Sequence, residues 1–140
     1  MTLGTGDVLL VEDADVHVEF TRLAFESEGI ADALAVARDG EEAMALIDRR
    51  ADRPPRLILL DLKLPGMSGF DVLEAVRSHA SEHVRRTPVV ILTTSRATGD
   101  VRRAYDLNAN SFLRKPLELN EFIDLIGAIR AWWLERVELP

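Results

Sequence analysis

Three carboxylates, one lysine and one hydroxyl stand where this chain could do chemistry: Glu12, Asp13, Asp61, Lys115 and Thr93. Each ends a short apolar run. Val8 to Val11 leads into Glu12 and Asp13, Leu57 to Leu60 into Asp61, Val89 to Leu92 into Thr93 and Thr94, and Phe112 and Leu113 into Arg114, Lys115 and Pro116. If these run ends share one rim, the carboxylates crowd together and repel unless protons or a cation sit among them. A hard, oxygen-only donor set without His or Cys suits Mg2+, which keeps several waters and takes one or two carboxylates plus phosphate oxygens. An Asp carboxylate can also attack a phosphoryl group to give an aspartyl phosphate, while a cation and a lysine offset the incoming charge.

The elements must bring those ends together. Unbroken apolar runs of this length suit strands covered on both faces, as in a parallel sheet flanked by helices. In such sheets ligands sit outside the carboxyl ends of the strands, where the five polar residues would converge. Between the runs, Ala14 to about Glu28 reads as a helix with Val16, Phe20, Leu23 and Ala24 on one face and Gly29 ending it. Ala31 to Ala37 reads as a less apolar edge strand. A second helix, Glu41 to about Arg49, is entered through Asp39 and Gly40 and turns Ala43, Leu46 and Ile47 inward. Pro65 and Gly66 stop regular structure after Asp61, and Phe70 to about Arg77 makes a third helix burying Phe70, Leu73 and Val76.

Ser78 to Arg86 reads as helix end plus solvated loop, and Pro88 opens the fourth strand. Thr98 is placed to cap a fourth helix that runs to about Leu107 with Val101, Ala104 and Tyr105, and Asn108 suits a left-handed terminating position. Ser111 to Arg114 forms the fifth strand, followed by a helix from about Glu118 to Glu135. Five strands alternating with five helices predict an α/β, doubly wound sheet, for which strand order 2-1-3-4-5 is the usual solution at this size.

The acidic pair Glu12-Asp13, the Asp61 segment with Pro65 and Gly66, Thr93 after the fourth strand and Lys115-Pro116 after the fifth together resemble the receiver domain of two-component response regulators. The resemblance runs from about Asp7 to the last helix. It implies a flavodoxin-like (βα)5 fold and a single receiver domain over 1–140, with a core of about 7–136, a short C-terminal extension and no output domain. It implies that Asp61 accepts a phosphoryl group from a sensor histidine kinase and that Lys115 pairs with the phosphoryl oxygens. Asp13 and Asp61 would bind Mg2+ directly, Glu12 through water, and the backbone carbonyl of Lys63 would complete the protein's share.

The same resemblance implies the readout. Thr93 would swing its hydroxyl onto the phosphoryl group, Phe112 would follow into the vacated space, and the surface of the fourth helix, fifth strand and fifth helix would change. Phe112 lacks a hydroxyl where many receivers have Tyr, so its burial is favoured on apolar grounds. Glu-Asp in place of Asp-Asp should leave metal binding intact. Lys63 and Ser95 stand at positions that vary among receivers and are expected to tune dephosphorylation. Thr94 reads as a β-branched strand residue, and His17, His79 and His83 as surface residues outside the rim.

Composition narrows the alternatives. A chain of 140 residues suits one domain with its own core, and the lack of cysteine rules out disulfides, thiolate metal sites and cysteine nucleophiles. A formal net charge of −7 argues against a nucleic-acid surface, which needs Lys and Arg to neutralise phosphates. No apolar span reaches transmembrane length and the MTLGTG start is a short polar tail, so a soluble cytoplasmic protein with no membrane association is expected. A phosphatase built on an aspartyl phosphate needs a second carboxylate two residues after the nucleophile, and that position is Lys63. A flavin protein of this architecture needs a phosphate-cradling loop after the first strand, which is missing. The protein is therefore expected to be a phosphoacceptor rather than a turnover enzyme; the alternative is an interaction module whose acidic site is inert.

The last helix is too apolar for a simple cover. Phe122, Leu125, Ile129 and Trp132 form one stripe, and Leu119, Ile123, Ile126 and Trp133 a second beside it. Two adjacent tryptophans cannot both point inward on a straight helix, so a protein interface is expected, a closed homodimer being the commonest form. Trp133 is expected to serve the dimer more than the fold. The AWWLERVELP tail and the LTTS run at Leu92 to Ser95 resemble the single-domain receivers associated with bacterial phytochromes. That resemblance implies a homodimer through the last helix and the extension, and a bacteriophytochrome as the kinase.

Overall fold

The computed structural model describes residues 3–138. Five strands, β1 (Val8–Val11), β2 (Leu34–Ala37), β3 (Leu57–Leu60), β4 (Val89–Thr93) and β5 (Ser111–Arg114), form one sheet in the order β2-β1-β3-β4-β5. All four neighbouring pairs are parallel, with Val11 level with both Ala37 and Leu60, and Ile91 level with Leu60 and Phe112. Parallel pairing demands crossovers. These are supplied by α1 (Asp15–Ser27), α2 (Gly40–Arg49), α3 (Gly69–Arg77) and α4 (Thr98–Asp106), while α5 (Leu119–Ile129) follows the last strand and packs back on the sheet. The predicted doubly wound α/β fold is thus the observed one.

The two faces of the sheet explain the unbroken apolar runs. Leu9, Val11, Ile58, Leu60, Val89 and Ile91 point to one side, into a core closed by α2, α3 and α4. Val8, Leu10, Leu57, Leu59, Val90 and Leu92 point to the other, beneath α1 and α5. Each central strand alternates between two buried cores, so none of its positions can be polar until the strand ends. On the second face Phe20 meets Phe122 edge-on, with ring centroids 5.9 Å apart.

Several local expectations change. Helix α1 buries Val18, Thr21, Ala24 and Phe25, leaving Val16 54% exposed and Phe20 and Leu23 half-buried. The buried face is rotated from the expected one, and Thr21 is buried within it at no hydrogen-bonding cost because its hydroxyl donates to the His17 carbonyl at 2.8 Å. The second strand is shorter than expected: Ala31–Ala33 is a 3-10 turn and only Leu34–Ala37 pairs, at the sheet edge. The expected solvated loop before β4 contains a one-turn helix, Glu82–Arg85, capped by the Ser81 hydroxyl and pinned by the fully buried Val84. Thr98 is the first helical residue of α4 and not its cap; Ala97 holds that position, while Ser95 Oγ accepts from the Ala97 amide at 3.3 Å and donates to Asp100 Oδ2 at 2.5 Å. Asn108 ends that helix with φ 68°, as its type predicts.

The C-terminal helix departs most. After Ile129 it widens into a π-helical segment, Arg130–Arg136, closed by the Val137 amide donating to the Trp132 carbonyl at 2.9 Å. The buried line is Phe122, Ile126 and Ile129, drawn from both expected stripes, then Leu134 five residues further on. Widening the helix brings Leu134 inward, sets Trp133 half-buried against the same core, and leaves Trp132 61% exposed. Trp132 is thus the tryptophan more offered to solvent, while Trp133, expected to serve a dimer, also packs against the core. Leu139 and Pro140 of the extension lie outside the described residues. No helix among those described is long and apolar enough to cross a membrane.

Candidate functional site

The ends of β1, β3, β4 and β5 meet at one rim. The Glu12 amide donates to the Ala37 carbonyl at 2.9 Å, the Asp61 amide to the Val11 carbonyl at 3.1 Å, and the Lys115 amide to the Thr93 carbonyl at 2.8 Å. These bonds continue the ladders one residue past the ends of β1, β3 and β5, so Glu12 and Asp61 leave the sheet side by side, with Thr93 one residue and Lys115 two residues further along their strands. Glu12, Asp61, Thr93 and Lys115 are buried, at 1%, 7%, 0% and 5% exposure, whereas Asp13 is exposed.

Lys115 is the centre of the group. Its ammonium donates to Asp61 Oδ2 at 2.9 Å and to Glu12 Oε2, and faces His17 Nδ1 at 3.0 Å. Three N–H donors thus meet three acceptors. Asp61 Oδ1 accepts from the Lys63 amide at 3.4 Å, while the Lys63 side chain is exposed; Glu12 Oε1 accepts from the Ala14 amide at 3.1 Å. Burial pushes the Glu12 carboxyl above its ordinary range; Lys115 opposes this and Asp61 reinforces it. Burial and Lys115 together hold the His17 imidazole below its usual value, against the pull of Asp61 and Asp13.

The donor set fits a hard divalent cation. Glu12, Asp13 and Asp61 each offer an oxygen within 4.8 Å of the others. Three carboxylates against one ammonium leave two negative charges at the rim, the complement of a divalent ion, and only oxygen donors are offered by these three.

Thr93 ends β4 beside this cluster, its hydroxyl accepting from the Ser95 amide at 3.3 Å. Thr94 lies past the strand end and is exposed, so it is not the strand residue it was expected to be. Phe112, three residues before Lys115, is half-buried against the core beneath α4, and its amide donates to the Tyr105 hydroxyl at 3.2 Å. The inward placement expected for Phe112 is thus only partial.

Two residues escaped the sequence reading. His17 was placed outside the rim but lies in it, because rotating α1 to expose Val16 turns the next residue inward. Gly69 carries the second. A side chain there would meet the Asp61 carbonyl oxygen at 2.2 Å and the Leu62 Cα at 2.6 Å, so only glycine lets the start of α3 lie on the Asp61 backbone. The signal for it was present, a glycine directly after Ser68, which caps α3 in a reciprocal pair with Asp71. Of the other histidines, His83 is exposed as expected, whereas His79 is mostly covered, Nε2 lying 2.7 Å from Asp48 Oδ1 and Nδ1 accepting from the Ser81 amide.

Residues 8–127 match the model of the response regulator receiver domain. The chain belongs to that family. Among similar receivers, the response regulator Rcp1 of Synechocystis sp. is 35% identical over 137 residues, covering 95% of this chain and 92% of that one. A crystal structure of the Mn2+-bound form of Rcp1 superposes with a TM-score of 0.83 over 95% of this chain and 97% of its own. The phosphorylated cyanobacterial phytochrome response regulator RcpA superposes at 0.87, is 32% identical, and covers 99% of both chains. The probable methanogenesis regulatory protein FilR2 of Methanothrix harundinacea is 38% identical over 130 residues, 91% of this receiver and 83% of its relative. The predicted receiver fold and family are therefore both met.

Proposed function

We propose that this receiver is a signalling phosphoacceptor, taking a phosphoryl group from a phosphohistidine of a sensor histidine kinase onto Asp61. The observation that carries the reading is a buried Asp61 carboxylate held by the Lys115 ammonium at 2.9 Å, with Glu12 and Asp13 oxygens alongside. An Asp61 oxygen attacks phosphorus, the phosphorus–nitrogen bond breaks, and its electron pair stays on the kinase imidazole, which takes up a proton. Mg2+ held by Asp13 and Asp61, by Glu12 through water and by the Lys63 carbonyl would offset the charge of the phosphoryl oxygens. Lys115 has only to pass from Asp61 Oδ2 to a phosphoryl oxygen, and so contributes charge already in position.

Thr93 gives up the Ser95 amide and turns its hydroxyl to the phosphoryl group, and Phe112 moves further inward. The surface of α4, β5 and α5 then differs between the two states. The protein consumes no separate substrate in this scheme. Likeness to Rcp1 and RcpA supports a phytochrome-type kinase upstream, and the exposed Trp132 supports a homodimer through the last helix.

Intact-protein mass after incubation with acetyl phosphate and Mg2+ tests the reading. A labile phosphate-sized gain is expected for the native protein and not for Asp61→Asn or a magnesium-free control. No gain from acetyl phosphate or from a histidine-kinase donor would favour the inert interaction module.

A further inference from the structure

The geometry points to His17 as a positioning residue that holds the Lys115 ammonium in place for transfer; this rests on the phosphoacceptor reading. Lys115 is buried and its three donors are spread over three acceptors: Glu12 Oε2, Asp61 Oδ2 and His17 Nδ1, the last at 3.0 Å. Two of those acceptors are carboxylates already committed to the acidic cluster. Once Asp61 carries the phosphoryl group as an acyl phosphate, its oxygen can no longer hold Lys115 as a full carboxylate, and Glu12 and His17 are the contacts left to aim the ammonium. His17 also covers the solvent side of the group, with a quarter of its own side chain exposed.

The contact specifies one form of the ring. Nδ1 can accept from an ammonium only through its lone pair, so the imidazole proton must sit on Nε2. This makes the role testable apart from phosphorylation. Long-range proton–nitrogen NMR of the metal-free protein above neutral pH is expected to show His17 in the Nε2–H form. Replacing Lys115→Met, which keeps the stem and removes the donor, should shift it towards a mixture of forms. A protonated Nδ1 in the native protein overturns the contact.

The kinetic arm uses two substitutions. His17→Asn keeps an acceptor near the place of Nδ1; His17→Leu keeps bulk and removes the acceptor. Uptake from acetyl phosphate should slow roughly 10- to 100-fold in His17→Leu, the effect of losing one hydrogen bond to a charged group, and be restored largely by His17→Asn. Equal rates for all three proteins overturn the assignment, as does a slowing that His17→Asn shares. A native protein that takes no phosphate overturns the phosphoacceptor reading and this inference with it, whereas phosphorylation at a rate indifferent to residue 17 overturns only the inference.

Discussion

At the scale of single residues the site is a balance of charge. Glu12 and Asp61 are taken out of water and share one ammonium, which satisfies them without neutralising the whole cluster. Asp13, the exposed carboxylate of the cluster, is the one that faces solvent, whereas Lys115 holds Glu12 and Asp61. Asp13→Ala should therefore weaken Mg2+ binding at least about tenfold, since even outer partners of metal ligands are worth that much. Isothermal titration calorimetry of the two proteins would show it; matched affinities would remove Asp13 from the ligand set. Thr93 and Ser95 form a second small unit in which one hydroxyl accepts from the other residue's amide, so turning Thr93 towards Asp61 must release that amide.

At the scale of elements, the loop after β3 is positioned by close backbone contact. The Gly69 amide donates to the Leu62 carbonyl at 2.9 Å, and Gly66 turns the chain at φ 71°. Gly69→Ala cannot be absorbed by a flexible neighbour, because what the new methyl meets is the Asp61 and Leu62 backbone. We expect a loss of about 1–3 kcal/mol in urea denaturation, together with slower phosphate uptake because Asp61 is displaced. A variant as stable as the native protein would mean that α3 can shift freely. At the opposite end of the sheet Arg77 ties three segments together, donating to the carbonyls of Arg85, Thr87 and Asn108 and to Asn110 Oδ1. Burial lowers its affinity for the proton, and four acceptors keep the charge satisfied.

At the scale of the whole molecule, the C-terminal segment separates fold from assembly. Trp133 packs against the core under α1 and α5, while Trp132 is 61% exposed. Trp132→Ala should change folding stability by no more than about 0.5 kcal/mol and lower the solution mass if the last helix forms a homodimer. Trp133→Ala should cost about 2 kcal/mol of stability, part of what a fully buried aromatic costs. Analytical ultracentrifugation beside thermal melts distinguishes the two; an unchanged mass for Trp132→Ala counts against that dimer.

Much of this was legible in the residues. A strand covered on both faces must be apolar at every position, so β1, β3 and β4 and their polar ends could be read directly, and parallel pairing then placed Glu12, Asp61, Thr93 and Lys115 at one rim. Helices are less explicit, because a face that is apolar over a wide arc admits several rotations of nearly equal burial. Val16 and Val18 are both valines, and only packing against the sheet chose Val18 and thereby turned His17 towards Lys115. The same holds at the C-terminus, where a run of apolar residues states that something is buried but not which, and the π-helical widening that takes in Leu134 arises from the fit to a finished core. Residue types and spacing determined the sheet and which polar residues end at its rim, since hydrophobic burial and hydrogen bonding leave a parallel strand little choice; the tertiary structure decided helix rotation, the third partner of Lys115 and which tryptophan faces water, since those depend on contacts between segments far apart in the chain.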